Sequence, residues 1–228
     1  MTDTTLSYPV LRQTMVDCQI RTFDVTNQGV IERFIQVPRE KFVDESLLAS
    51  VYSDSLITLK GAGKRAMLRP LVHARLIQAA NVTKNDSVLD VASGSGYSSA
   101  ILAGLAGKIV ALESDADLSA RSRTSLDELG FTGVKTVNGP LENGAAAEGP
   151  FDVIIINGAI ELVPDALKNQ LKDGGRLLAI VRGEADNTGR LGKVYRYEKS
   201  GNSFSGRPVF DASAPTLWAF KKEEEFVF

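Results

Sequence analysis

The 228-residue chain contains one cysteine, one histidine and one tryptophan, and these scarcities remove whole classes of chemistry. Cys18 alone cannot close an internal disulfide or supply a multi-thiolate metal site, so no bound metal is expected. His73 is the only imidazole, and no nucleophile-elbow pattern accompanies it, which excludes a recognisable serine triad. Flanked by Leu71-Val72 and Leu76-Ile77, it reads as a packed helix residue. A formal net charge of −2 gives no general attraction to nucleic acid. No basic segment precedes an apolar core at the N-terminus, so a secretory signal is not expected. The longest uncharged stretch, 91–107, is too short and too rich in Gly and Ser for a membrane span. A cytoplasmic protein without nucleic-acid or membrane partners is the expectation.

With 43% hydrophobic residues, the length suffices for one well-buried domain over 1–228 and not for two full ones. From residue 87 onward, apolar runs and helical patterns alternate as a doubly wound α/β sheet requires. The spacing predicts strands at 87–91, 108–113, 134–138, 151–157 and 176–181. Helices are predicted at 97–105, at 115–129 ended by Gly130, and at 165–171 stopped by Gly174-Gly175. A hairpin-like pair is expected beyond, from 194–197 and 216–220 about a turn at Ser200-Gly201-Asn202. Helical periodicity at 8–20, 26–36 and 42–52 predicts an N-terminal cap. The division is thus a cap and loop over 1–70 and a cofactor-binding core over 71–228.

The segment 88–99, VLDVASGSGYSS, carries the chemistry. It reads as a buried strand, a turn of small residues, and a helix start whose free backbone N–H groups face any ligand lodged there. A dinucleotide fingerprint wants GxGxxG, whereas Gly94 and Gly96 are followed by Ser99. Asp90, just before the turn, suits a cofactor that carries cations and no phosphate, which describes S-adenosylmethionine. Ala92, Ser93 and Ser95 complete the turn, with Ala92 expected at negative φ. Glu113 closes the next strand, where a carboxylate can accept both hydroxyls of a ribose, and Ser114 follows it.

Blocks along the chain resemble the protein-L-isoaspartate O-methyltransferase family of class I S-adenosylmethionine-dependent methyltransferases. They are Met15-Val16, Gln19-Ile20, Val37-Pro38-Arg39-Glu40, Phe42-Val43, Tyr52 and Asp54, then Gly94-Ser95-Gly96-Tyr97 and Gly149-Pro150-Phe151-Asp152-Val153-Ile154-Ile155. Val163-Pro164, Leu167, Gln170-Leu171 and Gly174-Gly175-Arg176-Leu177 continue the series. The resemblance implies a mostly parallel, seven-stranded, Rossmann-like methyltransferase sheet. It also implies S-adenosyl-L-methionine as methyl donor, S-adenosyl-L-homocysteine as product, and a protein or peptide carboxylate as acceptor. Asp90, Ala92, Ser93, Gly94, Ser95, Gly96, Glu113, Ser114, Leu141 and Asn157 are the cofactor-site candidates. An acceptor carboxylate is already ionised at neutral pH, so a histidine-poor protein can methylate it without a general base.

Three departures from the family pattern stand out. The family's loop of Gly-Gln-Thr-Ile-Ser-Gln-Pro type is replaced here by Gly63-Lys64-Arg65-Ala66-Met67-Leu68-Arg69-Pro70, leaving no catalytic residue to carry over. Gly139-Pro140-Leu141 lacks the carboxylate of the family's Gly-Asp-Gly, and Asn157-Gly158-Ala159 replaces a Thr-Ala-Ala run. Lys60, Lys64, Arg65 and Arg69 read either as a solvated basic loop or as a site for an anionic group. Two functions follow: a carboxyl O-methyltransferase with weak or altered isoaspartyl activity, or a cofactor-binding but inactive regulatory protein of the same fold.

Overall fold

Unbroken apolar runs such as 109–112 and 153–156 must be buried on both faces, which a parallel sheet covered on each side allows. The computed structural model describes residues 7–61, 65–182 and 192–222. The first elements are helices α1 (Tyr8–Met15) and α2 (Gln28–Gln36), the hairpin β1 (Ile57–Thr58) and β2 (Ala66–Met67), and α3 (Pro70–Ala80). The alternating core follows as β3 (Ser87–Val91), α4 (Tyr97–Ala103), β4 (Lys108–Glu113), α5 (Ala116–Glu128) and β5 (Val134–Asn138). It ends with β6 (Phe151–Ile160), α6 (Asp165–Asn169), β7 (Leu171–Arg182), β8 (Gly192–Ser200) and β9 (Ser203–Ala212). The large sheet has the order β5-β4-β3-β6-β7-β8-β9. Strands β3 to β7 run parallel, and β8 and β9 are antiparallel. Because β3 lies between β4 and β6, the chain reverses its winding there, and the carboxyl ends of these three strands form the crevice where such sheets bind ligands.

Each sheet face has its own core. Val88, Val153, Ile155, Leu178 and Ile180 pack with Ile31, Phe34, Leu76, Ile101 and Leu118, so the N-terminal helices join α3, α4 and α5 over one face. Leu89, Val91, Ile154 and Ile156 pack with Leu141, Leu167, Leu217 and Phe220 on the other. No helix among the described residues is long and apolar enough to cross a membrane.

Four local expectations are corrected. The 8–20 helix turns into a π-helical segment at Val16–Ile20, which buries both of its end residues. The 42–52 segment is not an α-helix but two 3₁₀ turns, Arg39–Phe42 and Glu45–Ser50. There the buried Arg39 guanidinium donates to the carbonyls of Val51 (2.9 Å) and Leu68 (3.0 Å), pinning the backbone in an irregular course. Helix α6 stops at Asn169, and Gly174, at φ +75°, lies inside β7 where the register against β6 shifts. Residues 216–220 form no strand: the tight turn at Gly201 pairs β8 immediately with Ser203–Ala212, leaving Thr216 a single bridge to Ala159.

Ala92 is the fifth correction. Its φ is +56°, not negative, because the chain must turn sharply out of β3. A non-glycine residue held there costs about 1–3 kcal/mol, partly offset by the entropy that glycine would lose on folding. Ala92→Gly is therefore expected to raise the unfolding free energy by about 0.5–1 kcal/mol. Urea denaturation checks this, and a lower midpoint at unchanged slope would contradict the strain.

Candidate cofactor site

Strand β3 delivers Asp90 to the crevice fully buried. Its Oδ1 accepts from Ser98 Oγ (2.9 Å) and Asn157 Nδ2 (2.6 Å), and its Oδ2 from Ser99 Oγ (2.6 Å). Asn157 also donates to the Val91 carbonyl (3.2 Å), so this β6 residue clamps the end of β3 while lining the cavity beside it. The turn then passes through Ala92, Gly94 and Gly96, all at positive φ. A Cβ on Gly96 would lie 2.5 Å from Ser122 Oγ on α5, so glycine is required by packing as well as by conformation. Ser93 and Ser95 are buried, and Ser95 Oγ has no hydrogen-bond partner.

Glu113, at the carboxyl end of β4, gathers the rest. Its Oε2 accepts from the Gly94 N–H (2.9 Å), and its Oε1 from the N–H groups of Ser114 (2.8 Å) and Asp115 (3.0 Å). The same carboxylate also accepts from Arg65, whose Nε lies 3.0 Å from Oε1 and 3.2 Å from Oε2. Arg65 Nη2 donates to Ser114 Oγ (2.8 Å). Arg65 is only 6% exposed, so it is no part of a solvated basic loop: the anion it serves belongs to the chain itself. Arg69 pairs instead with Asp54, and Lys60 approaches Asp44 at the surface. Gly63 and Lys64 lie outside the described residues.

The hairpin carrying Arg65 roofs the turn. Leu59 is so close that its Cδ1 would sit 2.9 Å from a Cβ on Gly94. Between roof and floor remains a cavity of about 20 Å³, bounded by Leu59, Ala66, Met67, Leu68, His73, Ala92, Ser93, Gly94, Tyr97, Ser98 and Asn157. That is room for about one water, against roughly 300 Å³ or more for a small-molecule site. The floor suits S-adenosylmethionine in its left-handed turn, its orphaned hydroxyl and its two strand-end carboxylates; the roof leaves it no space. Leu141 takes no part in this cavity and is buried in the second core. The roof was missed from sequence, although the apolar residues Leu56, Ile57, Leu59, Met67 and Leu68 around Gly61 and Gly63 were a hairpin signal.

His73 meets the floor from α3, its Nε2 3.2 Å from Ser98 Oγ, and stacks edge-on with Phe34. Burial, helped by the Arg39 charge, lowers its pKa from 6.5 to about 3. Burial raises that of Asp90 from 3.8 to about 6, with Glu113 adding to the rise, against the three side-chain hydrogen bonds that favour its charged form. Between about pH 4 and 6 the unfolded chain holds a proton on His73 that the folded one lacks, so this group makes stability rise with pH. Over the same window the folded chain holds one on Asp90 that the unfolded one lacks, so that group makes stability fall. Each effect amounts to roughly 3 kcal/mol across the window, and they oppose. Relative to wild type, Asp90→Asn should therefore gain stability from pH 4 to 6 and His73→Gln should lose it. Denaturation curves of the three proteins across that range test this; parallel profiles would contradict it.

A family model described as protein-L-isoaspartate(D-aspartate) O-methyltransferase matches residues 11–207. A protein-L-isoaspartate O-methyltransferase 2 of Geotalea uraniireducens is 33% identical over 87% of this chain and 94% of its own length. The Koribacter versatilis protein-L-isoaspartate O-methyltransferase is 33% identical over 73% of this chain and 74% of its own. A solved protein-L-isoaspartate O-methyltransferase superposes with a TM-score of 0.79 at 22% identity, covering 90% of this chain and 65% of that one. A Plasmodium falciparum protein-L-isoaspartate O-methyltransferase, solved with S-adenosyl-L-homocysteine, gives 0.74 at 19% identity over 94% and 99% of the two chains. The solved structures speak for the fold, and the model and the relatives for descent: the chain belongs to the protein-L-isoaspartate O-methyltransferase family of methyltransferase enzymes.

Proposed function

We propose that this protein is an S-adenosylmethionine-dependent carboxyl O-methyltransferase whose isoaspartyl activity is weak or redirected to another protein carboxylate. The observation that carries the cofactor half is the 2.9 Å bond from Gly94 N–H to Glu113, which sets a strand-end acceptor directly against a glycine turn at the sheet's switch point. Glu113 and Ser114 would hold the ribose side, and the turn around Gly94 and Ser95 the amino-acid side. The cofactor, when bound, supplies an electrophilic methyl group.

Acceptor chemistry asks little of the protein beyond placement. A carboxylate nucleophile arrives ionised, so the chain's contribution is to orient it and exclude water. Among the described residues the site offers no free general base, since Asp90, beneath the cavity, is committed to three donors and His73 is buried. The altered isoaspartyl activity is supported by what stands at the cavity wall: Ala66, Met67 and Leu68, with no hydroxyl or amide where the family's loop carries them. Misplacing an acceptor by about an ångström can cost on the order of 10²-fold.

Labelled S-adenosylmethionine with an isoaspartyl peptide, and the aspartyl peptide as control, tests the reading. Turnover on the order of 10²-fold below an ordinary family member is expected. Turnover equal to the ordinary enzyme would refute the loop assignment. No methylation of this peptide or of any protein in a cell extract, with cofactor still bound, would favour the inactive regulatory alternative.

A further inference from the structure

We propose that the β1–β2 hairpin is a built-in plug of the cofactor cradle, with Arg65 standing in for the ribose at Glu113 and Leu59 filling the space above Gly94, so that an S-adenosyl ligand enters only when the hairpin withdraws. The inference rests on the cofactor reading above and adds a regulation to that site.

A vicinal diol presents two neighbouring donors to a carboxylate. Arg65 shares its Nε–H between the same two oxygens, gives its Nη2 to the hydroxyl of Ser114, and adds a positive charge. Charge-assisted contacts of this kind are about twice as strong as neutral ones, so a ribose does not displace Arg65 by hydrogen bonding alone. Leu59 blocks the adjoining space, and the hydrogen bond from its own N–H to the Arg65 carbonyl (2.8 Å) makes the two obstructions one unit. That unit is small. Among the described residues it pairs only Ile57 with Met67 and Thr58 with Ala66, and joins no other sheet. A two-stranded hairpin of this size is not stable by itself, so the Arg65 ion pair with the cradle and the burial of Ile57, Leu59 and Met67 in the core hold it closed.

Apparent affinity for a ligand that needs the open state falls by the fraction of molecules open. With a minor open state of about 0.1–10%, removing the plug should tighten binding by roughly 10- to 1000-fold. Calorimetric titration of the whole protein with S-adenosyl-L-homocysteine, as wild type, Arg65→Ala and Leu59→Ala, tests this. In Arg65→Ala the Glu113 carboxylate keeps its three backbone N–H donors, and Leu59→Ala leaves the ion pair whole, so the second variant decides should the first not fold. Tighter binding by at least about tenfold in a folded variant supports the plug. Wild-type binding that neither variant improves overturns it and leaves the cofactor reading standing. Absence of binding by all three overturns both. Hydrogen exchange gives an independent reading: ligand saturation of wild type should expose the Leu59 amide, and unchanged protection of that amide in the complex would also overturn the plug.

Discussion

One carboxylate holds the crevice together. Glu113 is 1% exposed and accepts from the glycine turn through Gly94, from the end of its own strand through Ser114, from the start of α5 through Asp115, and from the hairpin through Arg65. Taking a carboxylate out of water costs several kcal/mol, which only a full set of donors offsets. The donors come from three stretches of chain, at Arg65, at Gly94 and at Ser114-Asp115, that must therefore assemble in one geometry. Asp115 extends the linkage, since its side chain accepts from the Leu118 N–H and caps α5. Glycine turn, helix start and hairpin are thus set by a single charge.

The neighbouring carboxylate follows a different logic. Asp90 is served by two serine hydroxyls and an amide, with no cation among the described residues bonded to it, and burial dominates, lifting its pKa to about 6. Through Ser98 it reaches a histidine that burial keeps neutral. The result is a carboxylate held by hydrogen bonds rather than a set of proton carriers. Such an arrangement suits a reaction in which the nucleophile brings its own charge and the protein contributes shape and dryness.

The core was legible in sequence because its signals were redundant. Strand residues 109–112 and 153–156 are apolar without interruption, Gly130 ends α5 at positive φ, and the spacing from Gly94 to Glu113 is that of one βαβ unit. Where a single local cue had to stand for a three-dimensional constraint, the reading failed. Ala92 took the left-handed conformation that its residue type disfavours because Asn157 and Ser99 fix the strand end before it. The 42–52 segment lost its helix to a buried arginine whose partners lie at Val51 and Leu68. Most telling is Arg65, which reads as a surface cation. Its burial depends on a carboxylate 48 positions away, and composition carries no information about such a pairing.

That pairing gives the missing loop a physical meaning. If Arg65 is the plug proposed above, the hairpin and an S-adenosyl ligand compete for the same acceptors on Glu113 and the same space above Gly94, so each excludes the other. Mutual exclusion of this kind is reciprocal: whatever draws Leu59 and Arg65 away from the cradle raises ligand affinity by the factor by which the ligand raises its affinity. Withdrawal parts the Arg65–Glu113 ion pair and the Arg65–Ser114 hydrogen bond and lifts Ile57, Leu59 and Met67 from the core, while the floor keeps the bonds that Ser98, Ser99 and Asn157 make to Asp90. A protein substrate that bound the withdrawn hairpin more tightly than the closed one would open the cradle by that difference in binding energy. Cofactor binding would then be conditional on the presence of an acceptor, a coupling that a loop held only by hydroxyl and amide contacts could not enforce as strongly as a buried guanidinium does.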